Sequence, residues 1–584
     1  MKLRQQKLCK MPRGRVRRKV ASALVLAMSA TTVFPAFAGP PPEGSDRYSW
    51  YIPSEDSGGL WHDEEDEDRE RIATDSDAEY ATWSNAVLTA MESFNSKVEF
   101  VDSEGKVLEG NTPDELSVPQ DEKNFPYLSQ QAGCTREDYG FSDTYEEHEY
   151  FLKGSANIYD IKDGKLATAS NAAKATSSNA QEEYVDRIIV FKPKDAADFS
   201  GVVFVDILNA SSKTDIASLW RQSYDYIMEK GAVYVGVTSK DVTVKSLKTF
   251  NQDRYASLKW GDDNGIFWDI LGQVGTLLKQ ENSPILYGED YSGDVNSYLF
   301  GSSQSGWYVN TFVNNFGLAN FVAEDAADLE TYEDYKDCVG SADHIFDGYL
   351  NFVGGMMDTS IAKKQSSKTR MFMPVKATDV PFILMVGEND YNPGPVRHDS
   401  DDPDNMYRHY VVAGGPHSDI IFPADPTDEL QMQTGRDTRE YVDFKGDHTV
   451  TDFNITVFIN AALENLDNWA QNGESAPCGP YKDEVAGSMN GMAFAPERDE
   501  FGNMTSGIIS PQISVPVASY YGGANGAFSD KSGSMIYLAQ DQVESLYGDR
   551  DTYLDQYAEA LDNMIENGWI LESDREKMIA LAEN

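Results

Sequence analysis

Between residues 187 and 390, short apolar runs alternate with segments of helical period, and that exchange leaves few architectures open. "RIIVFKP" (187–193) reads as a strand. "GVVFVDILN" (201–209) and "AVYVGVTS" (232–239) are nearly continuous apolar runs, the pattern of strands covered on both faces. "DIASLWRQSYDYIMEKG" (215–231), closing on Gly231, and "GIFWDILGQVGTLLKQ" (265–280) have helical spacing. "VPFILMVGEND" (380–390) is a further buried strand. Strands joined through helices need crossover connections, so the pattern predicts an α/β fold with a largely parallel sheet and helices on both faces.

In such a sheet, functional groups gather at the carboxyl ends of the strands. "YLFGSSQSGWYVNTFV" (298–313) runs from a strand into a helix and carries Ser302, Ser303 and Ser305 between Gly301 and Gly306. A tight strand-to-helix turn can lift a serine nucleophile above the sheet, but only if the residues two before and two after it are small. Ser303 meets that condition, with Gly301 and Ser305 as flanks. Ser305 would place Trp307 in the crowded position, and Ser302 would place Phe300 and Gln304 there.

The groups that activate a serine follow in the order this geometry uses, nucleophile, acid, histidine. Glu388 and Asp390 end the 380–390 strand; Asp390 is favoured as the acid because it lies further into the loop, and Glu388 is the alternative. Of the seven histidines, His417 in "YVVAGGPHSD" combines a preceding strand with a Gly-Gly-Pro turn and a loop position. His398 and His409 belong to a polar segment, and His448 precedes the helical "NITVFINAALENLDNWA".

These residues resemble the α/β-hydrolase-domain proteins whose elbow reads G-x-S-Q-S, a mostly uncharacterised, esterase-like group. "GSSQSG" is similar to that elbow, "FSGVVFVDILNASSKTDIASLW" to the family's third-strand segment, and "VPFILMVGENDY" to its strand ending in Glu-x-Asp. "YVVAGGPHSD" resembles its histidine loop, and "LYGDRDTYLDQYAEALDNMIENGWILESD" its closing helices. The likeness keeps its order over about 145–584; Gly306-Trp307 departs from the small residue and Arg that many relatives have. The resemblance implies an α/β-hydrolase fold and a serine hydrolase cleaving an acyl bond, most simply a carboxylic ester. Ser303 would attack, His417 would act as base, and Asp390 would orient the imidazole. The oxyanion would meet the N–H of Gln304 and a second N–H near Asn209 or Ala210. The same three groups would equally serve a peptidase or amidase, and a non-catalytic extracellular binding protein on this fold is the alternative outside enzymes.

The chain begins with a basic stretch, an apolar "ASALVLAMSATTVF" and the small-residue pattern Ala36-x-Ala38, which together predict an export signal cleaved after Ala38. Arg17-Arg18 only weakly resembles a twin-arginine signal. Removing those 38 residues, with nine Lys/Arg and no Asp/Glu, would take the net charge from −47 to −56, against nucleic-acid binding. No later apolar run has transmembrane length, so no stable membrane insertion is expected after processing, and the protein is expected to be secreted. Residues 39–144 are expected to form an acidic, partly disordered extension, with "HDEEDEDRERIATDSD" as a solvated charge run. The hydrolase domain is expected at 145–584, with a candidate lid insertion at 313–375 and a helical part at 535–584. Cys134, Cys338 and Cys478 allow at most one disulfide and lack zinc spacing. No metal or cofactor is expected; the expected partner is a small ester or acyl substrate, and the sequence carries no signature of an oligomeric state.

Overall fold

The computed structural model describes residues 85–131, 140–162, 165–168, 181–261, 263–323, 342–362, 370–371, 375, 378–390, 397–417, 445–480, 488–490, 493–523 and 533–583. The expected signal segment, most of the acidic run, Cys134 and Cys338 lie outside them. Cys478 is disulfide-bonded.

A ten-stranded sheet organises the chain. Its strands are β1 (Glu99–Val101), β2 (Tyr145–Asn157), β3 (Gln181–Pro193), β4 (Val202–Ile207), β5 (Val233–Val237), β6 (Asn296–Ser302), β7 (Gly348–Phe352), β8 (Phe382–Gly387), β9 (Ser400–Asp402) and β10 (Asn405–Val412). Across the sheet the order is β1-β2-β3-β5-β4-β6-β7-β8-β10-β9. The pairs from β5 through β4, β6, β7 and β8 to β10 are parallel, while β1, β2, β3 and β9 join antiparallel at the two sides. The expected class, a mainly parallel sheet flanked by helices, is the one observed. Every residue of β4, β5, β7 and β8 is buried, in keeping with their mostly apolar sequences; the buried polar exceptions are Asp206 of β4 and Asn351 of β7.

The helices that cover the sheet are α1 (Asn85–Phe94), α2 (Ser218–Glu229), α3 (Asp241–Phe250), α4 (Phe267–Lys279), α5 (Gln304–Phe316) and α6 (Thr456–Asn472). Phe94 of α1 stacks on Phe312 of α5 at 5.9 Å, and Trp268 of α4 stacks on Phe316 at 5.5 Å, so these three helices share one aromatic layer. α7 (Gln540–Tyr547), α8 (Arg550–Glu566) and α9 (Arg575–Glu583) follow a small antiparallel sheet of Thr449–Val450, Ala518–Tyr521 and Ser534–Tyr537. α8 buries Tyr553, Tyr557, Leu561 and Met564, one stripe at helical period.

Two expected boundaries differ from the structure. The break at 144/145 does not divide it: Ala90, Met91 and Phe94 of α1 are fully buried and β1 extends the sheet, so the described part of the N-terminal region belongs to the same core. The acidic composition upstream hid an amphipathic helix whose apolar face is only a few residues long. The candidate lid at 313–375 is not one excursion either. It contains the last turn of α5 and all of β7, a central strand between β6 and β8.

Candidate active site

Because β4 to β8 and β10 run parallel, their carboxyl ends open on one edge, and each sequence-singled residue follows one of those ends. Ser303 follows β6, Asn209 and Ala210 follow β4, Glu388 and Asp390 follow β8, and His417 follows β10.

Ser303 stands at φ 53°, ψ −117°, in the left-handed half of backbone space that side-chain-bearing residues avoid. Strain of that kind costs on the order of 1–3 kcal/mol and persists only where the surroundings impose it. Here they do. The Ser303 N–H donates to Phe352 O of β7 at 2.9 Å. Ser305 Oγ accepts from Ser302 N–H and donates to Ser302 O, both at 2.9 Å, closing the turn. The Asn209 side-chain amide donates to the same Ser302 carbonyl at 2.8 Å. Small neighbours are obligatory: a Cβ on Gly301 would lie 2.3 Å from Ser305 O, and one on Gly306 2.3 Å from Asn351 Oδ1. Ser305 is thus part of the scaffold of the turn, and Ser303 presents its hydroxyl outward.

The structure brings Ser303, His417 and Asp390 into one hydrogen-bonded line. His417 Nε2 lies 2.9 Å from Ser303 Oγ, and its Nδ1 lies 2.6 Å from Asp390 Oδ1. An ionised carboxylate only accepts, so Nδ1 carries the proton and Nε2 is left to accept from the serine. The His417 ring is one-tenth exposed and Asp390 is almost sealed. Asp390 Oδ2 is buried with no hydrogen-bond partner among the described residues, so the carboxylate engages through one oxygen.

Glu388 does something else. It accepts from Gly414 N–H at 3.0 Å and Gly522 N–H at 3.3 Å, and pairs with Arg498, whose guanidinium sits 4.6 Å from the Tyr521 ring centre. Two residues apart on an extended strand end, the two acids would point to the same side. Instead β8 stops at Gly387 and residues 388–390 form a 3₁₀ turn, in which neighbours two apart diverge. Asp390 therefore faces His417 while Glu388 faces the C-terminal segment.

The expected oxyanion donors separate in the same way. Gln304 is the first residue of α5, where a helical N–H has no intrahelical acceptor. Asn209 is corrected: its N–H donates to Ile216 O at 3.0 Å, closing a bridge within the loop, so only its side chain serves the turn. Ala210 next to it is buried, and its N–H makes no hydrogen bond among the described residues.

Three other histidines stand apart from this line. His409 is inside β10, where burial pushes its imidazole down to about 4. His448 Nδ1 is 3.1 Å from Ser534 Oγ, and His398 is exposed. Sequence reasoning missed Lys240 beyond β5, which donates to Gln304 Oε1; a lone lysine after a strand carries no signal that could have flagged it. Among the described residues no group of three or more His, Cys, Asp or Glu is placed to hold a metal, and no helix is long and apolar enough to cross a membrane.

A family model described as alpha/beta hydrolase domain matches residues 111–580. No curated protein matches the chain. Among solved structures, an α/β serine hydrolase without a lid from Xanthomonas campestris is 11% identical, covering 45% of this chain and 97% of that one at a TM-score of 0.22. Esterase B from Lactobacillus rhamnosis is 11% identical, covering 44% and 74%, at 0.21. Likenesses of that size carry no argument about this chain.

Proposed function

This chain belongs to the alpha/beta hydrolase domain family, and we propose that it is an exported serine hydrolase that cleaves an acyl bond, most simply a carboxylic ester, with Ser303 as nucleophile. Within the family we group it with the proteins whose elbow reads G-x-S-Q-S, on Gly301 to Ser305.

The observation that carries the reading is the His417 imidazole between two partners, Ser303 Oγ at 2.9 Å and Asp390 at 2.6 Å. Ser303 Oγ attacks the substrate carbonyl as His417 Nε2 takes its proton. Asp390 holds the ring in the tautomer that leaves Nε2 free and stabilises the imidazolium that forms. The carbonyl oxygen, now negative, is met by the N–H groups of Gln304 and Ala210, each contributing about 3 kcal/mol to the barrier reduction. His417 returns the proton to the leaving alcohol, and water repeats the sequence to release the acid.

A fluorophosphonate probe should label the protein at Ser303 and stop hydrolysis of short-chain 4-nitrophenyl esters. Labelling elsewhere, or ester turnover that survives Ser303→Ala, would sink the reading. Aryl amides measured alongside separate an esterase from an amidase. The export arm is tested by sequencing the amino terminus of the protein recovered outside the cell: Gly39 is expected, and an intact Met1 would contradict it.

A further inference from the structure

Lys240 lies at the same edge as Ser303. It follows β5, and Ser239 beside it ties the end of β5 to that of β4 through a hydrogen bond from its Oγ to Leu208 O at 2.8 Å. The Lys240 ammonium bonds the side-chain oxygen of Gln304, the residue immediately after Ser303, and sits 5.1 Å from the ring centre of Tyr308 one turn further along α5. An ammonium has three N–H donors, and a neutral amide oxygen takes one of them. The nearest carboxylate in sequence, Asp241, is bonded instead to Lys245 at 2.7 Å. Lys240 is also the residue that caps the start of α3, and α5 begins at Gln304, so two helix amino termini add positive potential to a cation that has no counter-ion among the described residues. Burial pushes the ammonium down to about 8, with the charge of Asp241 offsetting that only in part, so it is still mostly protonated at neutral pH.

A half-buried cation without a counter-ion is costly to a fold and is not needed to hold this turn, which Ser305, Asn209 and Phe352 already fix. It is well placed for a ligand that brings the missing charge. We propose that Lys240 is a specificity determinant that selects esters carrying a carboxylate a few bonds from the scissile carbonyl. The proposal rests on the serine-hydrolase reading and adds a substrate class to it. The Gln304 oxygen is the acceptor in the free protein. A substrate carboxylate forms the stronger, charge-assisted bond and takes up the donors that the amide leaves over. In a chain of net charge −47 a local cation of this kind is also what an anionic substrate requires to approach.

The test compares ethyl hydrogen succinate with ethyl pentanoate, a neutral ester of similar length, by ethanol release from the full-length protein. Wild type should prefer the half-ester by about tenfold in kcat/KM, the size of one charge-assisted hydrogen bond. Lys240→Met should erase the ratio, and Lys240→Arg should restore part of it. Equal kcat/KM values in the wild type, or an unchanged ratio in Lys240→Met, overturn the proposal. Should Lys240→Met fail to fold, the wild-type ratio still decides. Pentanoate turnover that depends on Ser303 but shows no preference defeats this inference alone. No Ser303-dependent turnover of either ester defeats the hydrolase reading and this with it.

Discussion

Glu149 and Asp390 are both sealed from water, yet their surroundings treat them oppositely. On β2, Glu149 Oε1 takes hydrogen bonds from Arg187 Nε at 2.6 Å and Tyr255 Oη at 2.9 Å, and Oε2 takes one from Arg254 Nε at 2.6 Å. Burial alone would raise this carboxyl, but the guanidinium groups of Arg254 and Arg187 hold it below its ordinary value. Arg187 continues the chain to Asp215, which also accepts from Thr238 Oγ1 at 2.6 Å. This network clamps the antiparallel strands to the loop after β4. Asp390 has one partner on one oxygen, the His417 ring that links it to the strained Ser303. Both oxygens of Glu149 are taken by donors, whereas Asp390 keeps one oxygen without a partner among the described residues.

That contrast breaks first at the serine. Ser303→Ala should lower turnover by about 10⁴-fold or more with little change in thermal midpoint, because the lost hydroxyl supports nothing else. His417→Ala should behave alike, and a steady-state assay beside a melting curve reads both. Asp390→Asn comes next, at about 10⁴-fold, since an amide favours the wrong imidazole tautomer. Glu388→Gln should cost far less in rate and show instead as a lower melting temperature; the reverse ranking would make Glu388 the orienting acid.

On the structural side the expected losses are in stability. Glu149→Gln removes the charge between two buried guanidinium groups, and breaking a buried pair in this way costs about 3–5 kcal/mol. Denaturant unfolding should show it, while activity per folded molecule changes little. A rate loss as deep as that of Asp390→Asn would end the division between the two regions.

The smallest effect concerns Glu147, beside Glu149. Burial pushes its carboxyl up to about 7, although bonds from Ser129 and Gln130 pull the other way. The folded state therefore keeps a proton between about 4.5 and 7 that the unfolded chain has released, so this group's contribution to stability declines as pH rises through that window. Glu147→Gln should flatten the decline: compared with wild type, the variant gains stability between pH 5 and pH 8. An unchanged difference at the two pH values would place the proton elsewhere.

Much of this was legible in the sequence where chemistry is local. Apolar runs too continuous for one covered face marked β4, β5 and β8, and the demand for small residues around a strained serine separated Ser303 from Ser302 and Ser305. Other features depend on contacts across the fold. The divergence of Glu388 from Asp390 comes from a 3₁₀ turn that a strand-to-loop reading cannot distinguish from an extended end. The commitment of the Asn209 N–H to Ile216 follows from how the loop folds back, and α1 lay hidden behind an acidic lead-in. Lys240 has no motif, only a position that the sheet order gives it.

The clasp on Glu388 sets an order of events during synthesis. By the time residue 417 has been translated, Ser303, Asp390 and His417 all exist. The acid turn is closed, however, by Arg498 and the N–H of Gly522, more than a hundred residues further along than the turn itself. A chain released early, even one holding every group of the Ser303–His417–Asp390 line, would keep the Gly414 and Gly415 ties to that turn but lack the Arg498 and Gly522 ones. The line is assembled from the middle of the chain but is fully fastened only once residues 498–522 have been made, so its geometry matures after its own groups are in place.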